Sequence, residues 1–466
     1  MSRWASFHGA GSWFWLLPGL SFAQPAWAKS ARLWHDEQES VSGPYKIWGE
    51  RPGLAGSDRA ACMCPFESDQ RAAPEIQLVL ACARAQLNPA AAGEIVSAAA
   101  QPLDWLKAVD LASGHGLSPI LSCQVQQHAA AIAPEAVRLS LIERFRAHTI
   151  RNLELTRELL EILSVLEKNG VGALAFKGPV LAQQLYSDLS LREFVDLDIL
   201  VAPNDASAVI ALLSAKRFEP QFILTQQQFA RFQTMRSQMG LYHPAKNVLV
   251  EVHWALLSPG YTFSPAARIP WESVQTISIA GRSVKTFSDE TQLLFACLHQ
   301  AKHNWSRLGW MMDLAALIDQ SPAMDWQQIQ DRAGSFGTPR MVHVSLRLVQ
   351  RLFQITLPGN ITEWVGNDAS SVKISERVLK HLLLVDTKAE QPTPLDRLFR
   401  GSMESFADRA FYWFDTILRP TPLEWALLPL PDRLYPLYYP IRVGRLVCKH
   451  TAGKLLARRT SLVATS

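Results

Sequence analysis

Two aspartates, Asp196 and Asp198, stand two residues apart at the start of the apolar stretch Asp-Leu-Asp-Ile-Leu-Val. Alternate residues of a β-strand point to the same side, so both carboxylates would share one face while Leu197 and Ile199 point into the core. Carboxylates at this spacing repel each other, and a divalent cation that prefers hard oxygen ligands relieves the repulsion. The pair therefore predicts a Mg²⁺ (or Mn²⁺) site, although an isolated Asp-x-Asp is more often a solvated strand end.

A third carboxylate comes from a later apolar stretch, Leu-Val-Glu-Val-His-Trp, over residues 249–254. Strand alternation places Glu251 and His253 on one face and Val250 and Val252 on the other. If this strand lies beside the aspartate strand, the three carboxylates can hold two metal ions on a transferring phosphate. The alternative is the polar outer face of a half-covered sheet, which is the favoured interpretation for His253 taken alone.

A strand-to-helix turn, Lys177-Gly178-Pro179, precedes the aspartates. Glycine lets the backbone approach a phosphate, and the following helix offers free N–H groups and its positive dipole end. Lys177 adds a point charge. Arg192 is either a further phosphate ligand or an exposed side chain. Without the carboxylates, an ordinary turn would be an equally good interpretation.

The elements that must position these residues follow from a change of hydrophobic period. The pattern is helical up to residue 169, and Gly170 predicts the helix end. It then changes to the alternation of strands. Strands are predicted at 171–176, 193–201, 247–254 and 281–286, with a possible one at 218–224; helices are predicted at 179–186 and 205–216, with a possible one at 226–235.

Helical patterns flank this α/β unit on both sides and divide the chain into five regions. Residues 1–72 show no sustained period and are interpreted as a leader or poorly ordered segment. The other regions are helical at 73–169, α/β at 170–287, helical at 288–357, and helical with a basic tail at 358–466. A polar stretch at 358–371 is predicted to separate the last region from the one before it.

The motifs together resemble the nucleotidyltransferase superfamily that has a DNA polymerase beta-like catalytic core. More narrowly, they are similar to a bacterial family of uncharacterised nucleotidyltransferases. The resemblance covers about residues 75 to 350 and rests on FKGPVLAQQLYSDLSLREFVDLDILV, EVHW and HQAKHNWSRLGWMMDLA. It implies an α+β fold in which a small mixed-sheet nucleotidyltransferase core is embedded between largely α-helical N- and C-terminal regions. One departure is the turn, because most of the superfamily has Gly-Ser where this chain has Lys-Gly-Pro.

The resemblance also implies a reaction and a set of site residues. An acceptor attacks the α-phosphate of a nucleoside triphosphate such as ATP, and pyrophosphate leaves. The metal ligands and catalytic residues would be Asp196, Asp198 and Glu251. The nucleotide-binding residues would be Lys177, Gly178, Arg192, His253, His303 and Arg307.

The segment that contains His303 and Arg307 is open to other interpretations. His299 and His303 lie one helical turn apart, but no glutamate follows His299 as in a zinc protease helix, so zinc is disfavoured. The resemblance implies that this segment borders the nucleotide or acceptor pocket. The alternative is a polar helix-pairing face with Trp305 and Trp310 packed beneath it.

Three functions are compatible with these observations. The first is a Mg²⁺-dependent nucleotidyltransferase whose acceptor is a small molecule, a peptide or RNA. The second is a binding or regulatory protein built on a catalytically decayed core, an alternative that rests on the altered turn. The third is a secreted helical interaction protein, suggested by the N-terminus.

Composition limits the class of protein and its location. With 48% apolar and 19% charged residues the chain is globular, and a net charge of +4 gives no strong argument for a nucleic-acid partner. Residues 1–28 resemble a secretory signal. The need for a nucleoside triphosphate, and six scattered cysteines interpreted as reduced thiols, favour the cytoplasm instead. No transmembrane segment is expected.

Overall fold

A mixed five-stranded sheet and a separate two-stranded hairpin form the β-structure of the chain. The computed structural model describes residues 72–86, 89–257, 273–383 and 396–448, so the predicted leader lies almost wholly outside the described residues. The strands are β1 (Ala173–Phe176), β2 (Asp196–Val201), β3 (Glu219–Pro220), β4 (Gln238–His243), β5 (Val248–His253), β6 (Val274–Ile279) and β7 (Arg282–Phe287).

Helices precede, interrupt and follow the sheet. They are α1 (Pro74–Cys82), α2 (Pro89–Ala99), α3 (Trp105–Gly114), α4 (Ser118–His128), α5 (Glu135–Lys168), α6 (Gly178–Tyr186), α7 (Ala206–Ala215), α8 (Gln226–Met235), α9 (Asp289–Lys302), α10 (Leu308–Gln320), α11 (Trp326–Phe336), α12 (Pro339–Phe353), α13 (Gly359–Gly366), α14 (Ala369–Leu383), α15 (Asp396–Ser402), α16 (Phe406–Trp413) and α17 (Pro422–Leu427). A π-helical turn (Phe414–Leu418) follows α16, and a 3₁₀ turn (Asp432–Leu437) leads into a last helix, α18, over residues 438–448.

The five-stranded sheet has the order β1-β2-β5-β4-β3. Only the β2–β5 pair is parallel, and the other neighbours are antiparallel. The predicted α+β fold, with a mixed sheet between largely helical regions, is therefore confirmed.

One side of the sheet carries the main α/β core. Leu197, Ile199, Val250 and Val252 are fully buried there, against apolar residues of α5 and α7. The other side carries a smaller cluster around Phe176, Phe287 and Phe295. The predicted alternation is correct, because the apolar members of β2 and β5 point into the main core and leave the carboxylates on the opposite side.

The helices on the two sides of the α/β unit share one core in the chain that the structure describes. This cluster joins residues of α1 to α5 with residues of α9 to α15. The four predicted region boundaries remain predictions, but the 73–169 and 288–357 regions pack into the same apolar interior.

Several predicted elements are wrong in extent. The aspartate strand begins at Asp196 rather than at residue 193, because Asn152 of α5 donates hydrogen bonds to the carbonyls of Leu189 and Arg192 and holds that segment as a loop. The possible strand at 218–224 is reduced to Glu219–Pro220, a sheet edge where proline ends the ladder.

Other elements were not predicted at all. The polar stretch at 358–371 forms α13 and the start of α14 rather than a separator. Helix α2 and strand β6 were also missed. The possible helix at 226–235 is confirmed, and a capping box between Thr225 and Gln228 begins it.

No helix among the described residues is long and apolar enough to cross a membrane. Four of the six cysteines are described, and all four are free thiols. Cys62 and Cys64 lie outside the described residues.

Candidate functional site

The parallel pairing of β2 with β5 brings the predicted carboxylates together. Asp198 pairs with Glu251 across the two strands, and Leu200 pairs with His253. On the other side of β2, Asp198 pairs with Phe176, the residue before Lys177. The register alone therefore gathers side chains from three separate parts of the chain around Asp198.

Asp198 is the centre of the site. Its side chain is fully buried, and its Oδ1 accepts hydrogen bonds from Lys177 Nζ at 2.8 Å and from His253 Nε2 at 3.0 Å. Burial alone would raise the pKa of Asp198, but the Lys177 charge and the His253 hydrogen bond outweigh it and lower the pKa to about 2. Asp198 is therefore an ionised carboxylate in the core of the protein.

His253 joins Asp198 to Glu251. Its Nε2 lies 3.4 Å from Glu251 Oε2 as well as 3.0 Å from Asp198 Oδ1. Burial works to lower the pKa of His253, but the hydrogen bonds to the two carboxylates outweigh it and raise the pKa. The solvated outer face favoured for His253 on sequence grounds is therefore wrong, because the side chain is 3% exposed and lies between two acids.

The arrangement leaves a carboxylate oxygen without a partner. Asp198 Oδ2 is buried and accepts no hydrogen bond from the described residues. One ligand atom each from Asp198, Glu251 and His253 lie within 4.8 Å of one another. An unpaired buried carboxylate oxygen beside a second carboxylate fits a hard divalent cation, which prefers such oxygen ligands.

Asp196 lies two residues before Asp198 on β2 and is outside that three-residue group. It is half-buried and pairs in register with Leu249. Burial, followed by the charges of Asp198 and Glu251, raises its pKa to about 7. The negative charges of Asp198 and Glu251 therefore act on Asp196 as well. Its role as a metal ligand remains a prediction.

The predicted phosphate turn has an unusual backbone. Lys177 has φ 56° and ψ −146°, a region that L-residues other than glycine rarely adopt. Gly178 begins α6 with φ +31°, and a Cβ there would lie 3.4 Å from the Asp196 carbonyl oxygen. The turn packs directly on the aspartate strand, and its strained geometry aims the Lys177 ammonium at Asp198.

Arg192 does not point to solvent. Its guanidinium makes a bidentate pair with Asp313 of α10 at 2.9–3.1 Å, and Tyr186 donates a hydrogen bond to the same carboxylate at 2.7 Å. All three side chains are buried. The exposed alternative for Arg192 is wrong, and its predicted contact with nucleotide stays a prediction.

A small cavity adjoins this group. It has a volume of about 40 Å³, and its walls include Lys177, Arg192, Gln292, His299 and Trp310. Ligand pockets measure roughly 300–1,000 Å³, so this space suits waters or a small ion rather than a nucleoside. A nucleotide would have to lie outside it.

His303 and Arg307 contact two residues of the cavity wall, His299 and Trp310, but do not line the cavity themselves. The rings of His299 and His303 are 4.7 Å apart, and both lie within 5.3 Å of the Trp310 ring, over which Arg307 also stacks. Burial, followed by nearby cations, lowers the pKa of His303 to about 3 and holds the pKa of His299 well below its usual value. Both histidines are therefore neutral, and the nucleotide contacts of His303 and Arg307 remain predictions.

A comparison with known protein families covers the segment that carries this site. Residues 101–354, more than half of the chain, match a family described as uncharacterised nucleotidyltransferases. The chain belongs to this family. The matched segment contains the whole five-stranded sheet and the site around Asp198.

Two other comparisons add little. A crystal structure described as an antigenic nucleotidyltransferase-like protein from Paracoccidioides brasiliensis covers 46% of this chain and 96% of its own, at 16% identity and a TM-score of 0.27. We base no conclusion on a likeness this low. No curated protein sequence matches the chain significantly.

Proposed function

We propose that this protein is a nucleotidyltransferase that uses Mg²⁺ or Mn²⁺ to transfer a nucleoside monophosphate from a nucleoside triphosphate to an acceptor. The acceptor is a small molecule, a peptide or RNA, and pyrophosphate is the second product. The family match supports the general class of reaction. One structural observation carries the rest of the proposal: the buried Asp198 lies in register with Glu251 and keeps one carboxylate oxygen unpaired.

The ligand chemistry of the site fits a divalent cation. Asp196, Asp198 and Glu251 would hold it, and they bring three potential negative charges close to the Lys177 ammonium and to His253, whose pKa is raised. When bound, the cation would supply electrostatic stabilisation of the charge that develops on the phosphates. Because His253 bonds both carboxylates, it would orient Asp198 and Glu251 relative to each other.

The turn at the start of α6 would bind phosphate. The first N–H groups of this nine-residue helix have no intrahelical partner and favour an anion, and Lys177 stands at the same end. In the reaction, the acceptor hydroxyl oxygen bonds to the α-phosphorus, the bond from that phosphorus to the bridging oxygen breaks, and pyrophosphate takes the bonding electrons. Glu251 is the proposed acceptor of the hydroxyl proton.

The proposal is tested by incubating the full chain with each α-³²P-labelled nucleoside triphosphate, Mg²⁺ or Mn²⁺, and host lysate. We expect label transfer that Asp198→Asn lowers by about 10²–10³-fold, because one charge-stabilising group is lost. The matched control is Asp331→Asn, since Asp331 is an exposed acid on α11. Equal loss in both variants, or transfer that is independent of added metal, would contradict the proposal.

The decayed-core alternative gives a different result in the same system. A decayed protein would bind nucleotide or Mn²⁺ in a titration but transfer no label from any nucleoside triphosphate. If neither label transfer nor Mn²⁺ binding is observed, both functions are ruled out.

A further inference from the structure

One ring nitrogen of His253 lies close to two carboxylates at once. Its Nε2 is 3.0 Å from Asp198 Oδ1 and 3.4 Å from Glu251 Oε2. Neighbouring ligands of a cation are roughly 3 Å apart in an octahedron and roughly 3.4 Å apart in a tetrahedron, when each lies about 2.1 Å from the metal. The spacing of these three atoms therefore suits shared ligation of one cation as well as it suits hydrogen bonding.

Packing and strand pairing hold the imidazole of His253 in this position. The ring makes an edge contact with the Phe176 ring, and the two ring centres are 4.9 Å apart. In the sheet, His253 pairs with Leu200 of β2 and with Gln238 of β4. The other ring nitrogen, Nδ1, is buried and has no hydrogen-bond partner among the described residues. The orientation of the ring therefore does not depend on the Nε2 hydrogen bond alone.

A second observation points to a cation at the same place. Asp198 Oδ1 accepts two hydrogen bonds, whereas Oδ2 of the same carboxylate is buried and accepts none from the described residues. A buried oxygen without a partner is costly, and a bound cation would satisfy it. Asp198, Glu251 and His253 each offer a ligand atom within 4.8 Å of the other two. In the part of the chain that the structure describes, no other histidine belongs to such a group.

We propose that His253 is a direct ligand of the cation, together with Asp198 and Glu251, and that this cation is Mn²⁺ in preference to Mg²⁺. The inference rests on the proposed function, because it adds a ligand to the same metal site and chooses between its two cations. In the metal-free protein Nε2 bonds the carboxylates. In the metal-bound protein the Nε2 lone pair points at the cation, and the ring proton lies on Nδ1.

The types of ligand atom and their burial both favour Mn²⁺. Mg²⁺ demands near-ideal octahedral oxygen geometry and usually keeps several waters. Imidazole nitrogen suits first-row transition cations, and carboxylates suit Mn²⁺. The side chains of Asp198, His253 and Glu251 are 0%, 3% and 14% exposed, so few waters reach their ligand atoms.

The alternative is that His253 only orients the two carboxylates through hydrogen bonds. Loss of such an outer-shell partner also weakens metal binding, by about 10–100-fold, so the affinity for one cation does not distinguish the two roles. A bond between nitrogen and metal does distinguish them, and so does the relative affinity for Mn²⁺ and Mg²⁺.

The test is pulsed electron paramagnetic resonance of Mn²⁺ bound to the full chain without nucleotide, so that only the protein and water supply ligands. We expect a hyperfine coupling to an imidazole nitrogen that His253→Gln abolishes. In titration calorimetry, His253→Gln should bind Mn²⁺ about tenfold or more weakly and lose much less affinity for Mg²⁺. The matched control is His243→Gln, since His243 is also buried, in the neighbouring strand β4, and lies outside the three-residue group. It should keep the coupling and both affinities.

Three results would overturn the inference and leave the proposed function in place. They are bound Mn²⁺ without nitrogen coupling in the wild type, a coupling that persists in His253→Gln, and an equal loss of affinity for both cations in that variant. Absence of Mn²⁺ binding to the wild type would contradict the metal site itself, and with it the proposed function. The wild-type spectrum needs no substitution, so the test holds even if circular dichroism shows that His253→Gln does not fold.

Discussion

At the scale of single residues, the site depends on Lys177. Its ammonium bonds the buried Asp198 carboxylate at 2.8 Å and lies over the Phe295 ring at 5.3 Å. Burial works against a charged lysine, but the charges of Asp198, Glu251 and Asp196 outweigh it and raise the pKa of Lys177. Lys177 is therefore a fixed cation that neutralises the carboxylates and competes with any metal they bind.

Lys177→Met should separate these two effects. With the ammonium removed, Mn²⁺ binding measured by titration calorimetry should tighten about tenfold, since a repelling charge a few ångströms away is worth roughly 1–4 kcal/mol near a protein surface. Label transfer should nevertheless fall, because the proposed phosphate contact is lost. Lys216→Met, at an exposed position after α7, is the control and should change neither quantity. Weaker Mn²⁺ binding in Lys177→Met would show that Lys177 does not compete with the metal.

At the scale of elements, helix α10 joins the site to the N-terminal helices. Its Gly309 donates a hydrogen bond to the His115 carbonyl at 3.0 Å, and a Cβ on Gly309 would lie 2.8 Å from that oxygen. One turn further along, Asp313 holds Arg192 and Tyr186. Helix α10 therefore requires glycine at position 309 and a buried carboxylate at position 313.

Gly309→Ala should destabilise the protein by about 1–3 kcal/mol, because the methyl group overlaps backbone atoms that cannot rotate away. Gly334→Ala in α11 is the matched control, since nothing lies within 4 Å of its Cβ position. That control should be stabilising by about 0.5–1 kcal/mol through helix propensity. Urea unfolding measures both, and a neutral Gly309→Ala would show that the contact relaxes at little cost.

The buried pair of Arg192 and Asp313 gives a second prediction at this scale. Asp313→Ala should cost about 3–5 kcal/mol, since it leaves the Arg192 guanidinium buried without its partner. Arg192→Met/Asp313→Leu should recover much of this loss. The exposed pair Arg157–Glu161 serves as control, and Glu161→Ala should change the stability by less than about 1 kcal/mol. A double variant as unstable as Asp313→Ala would contradict the charge argument.

At the scale of the whole molecule, stability should depend on pH through His115, a half-buried histidine. Burial, opposed by a hydrogen bond with the Ser306 backbone and assisted by the Arg307 charge, lowers the pKa of His115 from 6.5 to about 4. The unfolded chain thus binds a proton more readily than the folded chain between these two values. This contribution is complete above pH 6.5 and is lost as the pH falls towards 4.

Urea unfolding across that range should show the loss, and His115→Gln should have a smaller pH dependence than the wild type. The difference should reach about 3 kcal/mol, since one pKa unit is worth about 1.4 kcal/mol. Identical pH profiles for the two proteins would show that His115 is not responsible.

The sequence by itself determined the elements that depend on local pattern. Alternation fixed which side of β2 and β5 carries the carboxylates, because side chains of a strand point to opposite faces. Gly170, with φ +73°, ends the long helix α5 as predicted. Patterns failed where long-range contacts decide the outcome, as at residues 193–195, where Asn152 from another helix replaces strand pairing.

Only the tertiary structure decided which predicted residues meet. The parallel register joins Asp198 to Glu251, which are 53 positions apart in the sequence, and draws His253 into the core between them. The pairing of Arg192 with Asp313 spans 121 positions, and Lys177 adopts a positive φ in a turn whose Gly178 packs against the aspartate strand. The sequence determines which residue types are available to a site. The distances between those residues and their desolvation come from packing between segments far apart in the chain, which no local pattern specifies.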